Sequence, residues 1–276
     1  MITIASMGDV GRVGALPSYD RPPVVEVAVG IHFLQLPGLN AVELVRLVDF
    51  LWKDAYPTTL EQPILPPTAP MSAGPIFAFG VQTGTPPIRL WSLTENQAWL
   101  IQVQHDRLLL NWRKLTDADP YPRYEVVRKQ FVDVWQRFYE YISGSDFGVL
   151  QPSAAEVSFF NRIPLQSGAK EIPNIICALN PDWDADRQVA TAYQLERDLS
   201  DSLTPGQQSI ALNYRPSAGP MQLEIATRIG ITGELETATD VFSALDKAHQ
   251  QGVLTFDELT TDNAHSIWGR RDADNA

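Results

Sequence analysis

A chain of 276 residues is long enough for one large core or two of ordinary size, and 44% apolar with 20% charged content is the balance of a globular protein. A formal net charge of -12 argues against a general binder of nucleic acid or anionic membranes, because such binders recruit phosphates through a positive field. A local basic patch around Arg107, Arg113, Lys114 and Arg123 is the one place where that exclusion weakens.

Residues 1–15 are small, Gly-rich and aperiodic, and read as a flexible leader. The first clear element is Val24–Phe33, where Val25, Val27, Val29, Ile31 and Phe33 alternate with Glu26, Ala28, Gly30 and His32. That period of two predicts a half-buried strand. Asn40 reads as a helix N-cap, with Glu43 three residues on completing a capping-box-like pair. Leu44, Leu47, Val48, Leu51 and Trp52 then fall on one helical face, and Pro57 lies beyond its end. Residues 57–75 hold six prolines and read as an extended surface connector, since proline removes backbone donors and fixes φ.

Three strands are predicted at 88–93, 98–104 and 107–112. The connections between them are so short that the strands must be antiparallel neighbours. A long helix follows, with Val127, Phe131, Val134, Trp135, Phe138 and Ile142 at spacings of three and four. Glu156-Val157-Ser158-Phe159 then echoes Glu26-Val27-Ala28-Val29, and Leu212-Asn213-Tyr214-Arg215 echoes Leu110-Asn111-Trp112-Arg113. Residues 222–231 read as a strand, 238–250 as a helix bearing Val241, Leu245 and Ala248, and 255–268 as a final helix or helix pair. Residues 185–203 fit either helix or strand, and the acidic tail after Arg271 reads as frayed.

These elements predict an α+β fold of antiparallel sheets with helices packed on one face. The expected organisation is a flexible leader (1–15), a first α+β half (16–150), a second (151–271) and a frayed tail (272–276). The echoed motifs raise the reading that the halves are related by a pseudo-twofold axis, although the spacing between echoed motifs differs in the two.

The sequence holds no complete catalytic set. Gly8-Asp9-Val10-Gly11 follows no strand and opens no helix, so it is no phosphate loop. Asp182, Asp184 and Asp186 alternate as in an EF-hand, but Arg187 and Tyr193 stand where that loop needs glycine and glutamate. No zinc-binding spacing exists, so neither metal nor cofactor is expected. Cys177, the single cysteine, excludes an intramolecular disulfide. It lies in the apolar tract 175–179 and reads as a small core residue. There is no secretory signal and no apolar run of roughly 20 residues, so the expectation is a soluble cytoplasmic protein without a membrane role.

One polar cluster stands out: Asn111, Arg113, Tyr121, Arg123 and Glu125, with His105 beside Asp106 in an expected hairpin turn. Arginine offers a rigid fork for carboxylate or phosphate, and tyrosine an apolar face with a polar tip. The plainer reading has Arg113 or Arg123 pairing with Glu125 or Glu26 to pin strand to helix.

Four stretches together resemble a sporadically distributed bacterial family of uncharacterised proteins. They are residues 16–27, Asn111-Trp112-Arg113-Lys114, Tyr121-Pro122-Arg123-Tyr124-Glu125 and Ile267-Trp268-Gly269-Arg270. The resemblance covers residues 16–271. It implies a patchily inherited bacterial protein from mobile or defence-associated gene neighbourhoods, and it brings no activity, cofactor or catalytic residue. Two readings therefore stand. One is a non-catalytic binding or interaction protein with a protein partner, with homodimerisation through sheet edges as a further expectation. The other is an enzyme or nucleotide/phosphoester binder in which His105, Arg113, Arg123 and Glu125 converge on one pocket.

Overall fold

In β2 (Val24–Phe33), Val27, Val29 and Ile31 are fully buried on one face, and Glu26, Ala28, Gly30 and His32 point to the other. A strand buried on that pattern needs a partner on each side, and β2 has two. It pairs antiparallel with β6 (Arg107–Arg113) and with β7 (Pro152–Ile163). The structure, a computed structural model, describes residues 16–66, 87–177, 190–201, 204–232 and 239–271.

β2 is the middle of a nine-stranded antiparallel sheet. On one side, β6 continues to β5 (Trp99–Gln104), β4 (Arg89–Leu93) and the edge strand β3 (Thr58–Gln62). On the other, β7 continues to β10 (Met221–Gly230), β9 (Gly206–Tyr214) and the opposite edge, β8 (Thr191–Asp198). Residues 16–150 and 151–271 thus contribute adjoining parts of one sheet, joined by the β2–β7 ladder. A second, two-stranded sheet pairs β1 (Ser18–Tyr19) with β11 (Arg270–Arg271).

The helices cover a single face. α1 (Ala41–Trp52), α2 (Tyr124–Ser143) and α4 (Phe242–Leu259) bring Leu47, Phe131, Trp135 and Leu245 onto Val29, Ile31, Leu110 and Val157 in one cluster. Burying each such side chain contributes about 1.5–3 kcal/mol. A second cluster forms where α5 (Asp262–Trp268) and the single turn α3 (Ile172–Ile175) pack Trp268 and Ile172 with Leu212, Leu223 and Tyr19. This is the expected α+β architecture with helices on one face. Among the described residues no helix is long and apolar enough to cross a membrane.

Several local expectations change. Asn40 caps α1 by accepting from Val42 and Glu43 N–H, but Glu43 pairs with Arg46 at 2.7 Å while the Asn40 N–H goes to Gly38 O. The reciprocal half of the capping box is therefore absent. Part of the proline-rich crossing is strand β3; residues 67–75 of it lie outside the described residues, as do the leader, the tail and the Asp182–Asp186 alternation. The ambiguous tract resolves as β8, an exposed edge strand. α4 runs on through Gly252 to Leu259; the glycine stands where the helix packs closest on β7, since a Cβ there would meet the Phe159 ring at 3.0 Å. Cys177 is exposed, contrary to the expected core position, with Sγ donating to Glu258 O at 3.1 Å just past the Ile176–Thr260 bridge.

The echoed motifs occupy different places. Leu110-Asn111-Trp112-Arg113 is in β6, against β2, whereas Leu212-Asn213-Tyr214 is in β9, one strand from an edge. The echo does not establish a pseudo-twofold axis.

Candidate functional site

Antiparallel registers arrange side chains in rows across the face opposite the helices. One row runs Trp91, Gln102, Leu109, Gly30, Glu156, Arg228 from β4 to β10. The next runs Leu100, Asn111, Ala28, Ser158, Ala226, Ser209. A third holds Arg113, Glu26, Phe160 and Glu224. Small residues at Ala28, Ser158 and Ala226 form a floor between polar walls, and the result is a groove of about 630 Å³. That volume falls in the range of small-molecule sites. Gly30 is required here: a Cβ would sit 2.6 Å from Leu108 O and 2.4 Å from Leu109 Cδ2.

The groove's polar groups are tied into two networks. In the first, Asn111 Nδ2 donates to Glu26 Oε1 at 2.6 Å, and Gln102 Nε2 donates to Asn111 Oδ1 at 2.8 Å. Trp91 Nε1 and Arg89 Nη1 both donate to Gln102 Oε1, at 2.9 and 3.0 Å. In the second, Glu156 receives Arg228 at 3.1 Å, contacts His32 Nε2 at 3.0 Å and accepts from Ser158 Oγ at 3.2 Å. Leaving one such buried group unpaired costs about 1–3 kcal/mol, so each network holds its members in place.

The carboxyls differ. Burial pushes Glu156 up, but the His32 hydrogen bond and the Arg228 charge outweigh it and hold the group well below the usual range. Burial raises Glu26 despite the Asn111 hydrogen bond and Arg113 nearby. Burial also raises Glu224, which faces the like charges of Glu156 and Glu26.

At the β4–β6 end the charges are positive. Arg107 is buried and donates twice to Asp106, at 3.0 and 3.1 Å, and once to Pro66 O at 2.8 Å. Gln104 exchanges hydrogen bonds with Leu65 and also donates to Asp106. Burial pushes the Asp106 carboxyl up, and the Arg107 bond reverses this to a net lowering. Arg89, over the Trp91 ring at 5.4 Å, has its Nε buried without an acceptor.

This arrangement is poor at covalent chemistry. Ser158 is bonded to a carboxylate, and the histidine lies on that carboxylate's far side, so Ser158 has no imidazole base. Glu156, held ionised by Arg228 and His32, is a weak base for the same reason. Among the described residues no group of three or more His, Cys, Asp and Glu could hold a metal ion.

A second cavity, about 210 Å³, lies on the helix side between the start of α2, α4 and β1. Tyr121, Arg123, Tyr124, Glu125 and His249 line it. The Tyr124 and His249 rings stack at 3.7 Å and 5°, and the Tyr124 hydroxyl donates to Asp246 at 2.9 Å. Asp246 also takes Arg128 through two bonds. Burial lowers His249 to about 4, against the pull of Glu125 and Asp246. Arg123, which caps α2 with φ 73° and ψ 155°, donates to Tyr19 O at 2.8 Å.

The six residues singled out from sequence do not converge. Asn111 lies in the sheet-face groove. Tyr121, Arg123 and Glu125 line the helix-side cavity. Arg113 is at the end of β6, donating to Gln97 O at 2.9 Å. His105 is in the β5–β6 turn, half-buried because Leu36 N–H bonds its carbonyl, and its Nδ1 is without a partner. The cause is strand parity followed by a loop: Asn111 points away from the helices, whereas the chain after β6 crosses to their side. Neither Arg113 nor Arg123 makes the expected carboxylate pair, as both donate to backbone carbonyls. Sequence reading missed Arg89, Gln102, Glu156, Glu224 and Arg228. The available signal was polar residues at alternate positions of otherwise apolar strands. No family model, curated protein or solved structure matches the chain.

Proposed function

We propose that the protein is a non-catalytic binding protein that takes a small polar molecule into the groove on the helix-free face of the sheet. One observation carries this reading: a groove of about 630 Å³ whose polar walls are held by Glu26–Asn111–Gln102 and Glu156–Arg228 hydrogen bonds. Fixed donors and acceptors around a cavity favour a ligand because little side-chain freedom is lost when it enters. The serine in the groove lacks a base, which supports binding over turnover.

The test is native mass spectrometry of the protein isolated from its host, beside the variant Ala226→Phe. Ala226 projects into the groove from β10, and its neighbours Ile225 and Thr227 face the helices, so the added ring blocks the β10 side of the groove and spares the core. The expected result is a small molecule retained by the wild type and lost from Ala226→Phe. Equal retention by both, or conversion of the bound compound by the wild type, overturns the reading.

A further inference from the structure

Charge is ordered along the groove. Glu26 and Glu224 stand on β2 and β10, and Glu156 is matched by Arg228 and His32 on neighbouring strands. At the β4–β6 end, by contrast, stand two guanidinium groups, Arg89 and Arg107, and only Arg107 has a carboxylate partner. Asp106 is used by Arg107 through two bonds and by Gln104 through a third. Arg89 has no carboxylate within 4.0 Å among the described residues; its one hydrogen-bond acceptor, Gln102 Oε1, is shared with the Trp91 indole. Burial lowers Arg89, and the like charge of Arg107 lowers it further. The strand register separates the two arginines by Gln104, which pairs directly with Arg107.

The donors left over have a shape. Arg89 uses Nη1 for Gln102, so the edge formed by Nε–H and Nη2–H is without an acceptor, and the Nε is buried. That edge of a guanidinium offers two parallel donors, the arrangement that meets two oxygens of one carboxylate or phosphate. Trp91 holds the guanidinium from below at 5.4 Å, and Gln102 fixes its rotation. The acidic centre of the groove would repel the same anion, which sets its direction.

We infer that the β4–β6 end of the groove is an oxyanion site, in which Arg89, with Arg107 beside it, receives the carboxylate or phosphate group of the ligand. This rests on the groove being a binding site.

The experiment uses the full chain and two probes, inorganic phosphate and acetate, each against chloride at equal ionic strength. Thermal unfolding and the Arg89 Nε–H signal in nitrogen-edited NMR are followed through the titrations. The expected result is a saturable rise in Tm and a shift of the Arg89 signal with one or both oxyanions, and neither with chloride. A response to phosphate alone assigns a phosphate head, and a response to acetate alone a carboxylate. In Arg89→Gln the apparent affinity is expected to fall at least about tenfold, the loss of one charge-assisted pair. If Arg89→Gln does not fold, the wild-type NMR signal decides. No saturable response, an unmoved Arg89 signal, or undiminished affinity in Arg89→Gln overturns the assignment.

Ala226→Phe separates this outcome from the binding role itself. Ala226 is on β10, far along the sheet from β4, so the groove blocked on that side loses the natural ligand while phosphate or acetate still reaches Arg89. A natural ligand retained by the wild type and lost from Ala226→Phe, with no oxyanion response, leaves the groove reading standing and removes the oxyanion site.

Discussion

His249 shows how burial sets a titration. Its ring lies flat on Tyr124 and within 6.0 Å of Phe159, and removal from water lowers it from 6.5 to about 4. The unfolded chain takes up a proton near 6.5, and the native state resists until about 4. Native stability therefore falls as pH drops through that window, and above it the group contributes nothing. His249→Phe keeps an aromatic ring and removes the proton. Between about pH 7.5 and about pH 5 the wild type is expected to lose about 1–2 kcal/mol more than His249→Phe, measured by urea unfolding at each pH. An equal loss in both proteins would place the pH sensitivity in the carboxylates.

The start of α2 concentrates a different cost. Arg123 has φ 73° and ψ 155°, a region that glycine alone enters freely, and it provides no side-chain cap. Such a residue stores about 1–3 kcal/mol. The strain persists because the guanidinium ties α2 to Tyr19 O, and Tyr19 in turn donates to Asp257, which Arg270 grips through two bonds. Arg123→Ala loses the tie and keeps the strain, whereas Arg123→Gly loses both. The glycine variant is expected to be the more stable by about 1 kcal/mol in chemical denaturation, the opposite of the usual order inside a helix.

Elements with a strong period were legible from residues alone. β2 and α2 carry their core residues at a regular period and the β4–β6 meander is set by its short turns, so Val27, Val29 and Ile31, or Phe131, Trp135 and Phe138, announce their structure. β8 was not, because an exposed edge strand such as Thr191–Asp198 has no buried side to create alternation. The candidate site was less legible still. Glu26 and Asn111 bond across 85 residues of chain, and only a register brings Glu156 beside Arg228. Short motifs far apart in sequence also meet in space, which their residues alone did not announce. Residues 16–27, the Arg123 loop and the Trp268-Gly269-Arg270 end meet around Tyr19, and Asn111 reaches back to Glu26.

At the scale of the molecule, the division at residue 150 is a boundary in sequence that the packing crosses. β7 pairs with β2 along most of its length, α4 lies over β7 and β10, and Asp246 of α4 holds both Tyr124 and Arg128 of α2. A fragment of residues 16–150 leaves one side of β2 without a ladder and exposes the apolar face of α2. It is expected to show no cooperative unfolding transition alone, and to recover one when co-expressed with residues 151–276. A two-state transition in the isolated fragment would establish it as an independent folding unit.

The central place of β2 has a consequence for how the chain is made. It leaves the ribosome before both of its neighbours: β6 follows α1, β3, β4 and β5, and β7 follows α2. During that interval Val24–Phe33, an apolar and β-branched run, has both backbone edges unpaired. Glu26 and His32, which end as groove residues, are then the charged and polar interruptions that keep this run from pairing with another copy. Synthesis sped through the meander would shorten the exposure, and a pause before residue 107 would lengthen it and raise the yield of aggregate.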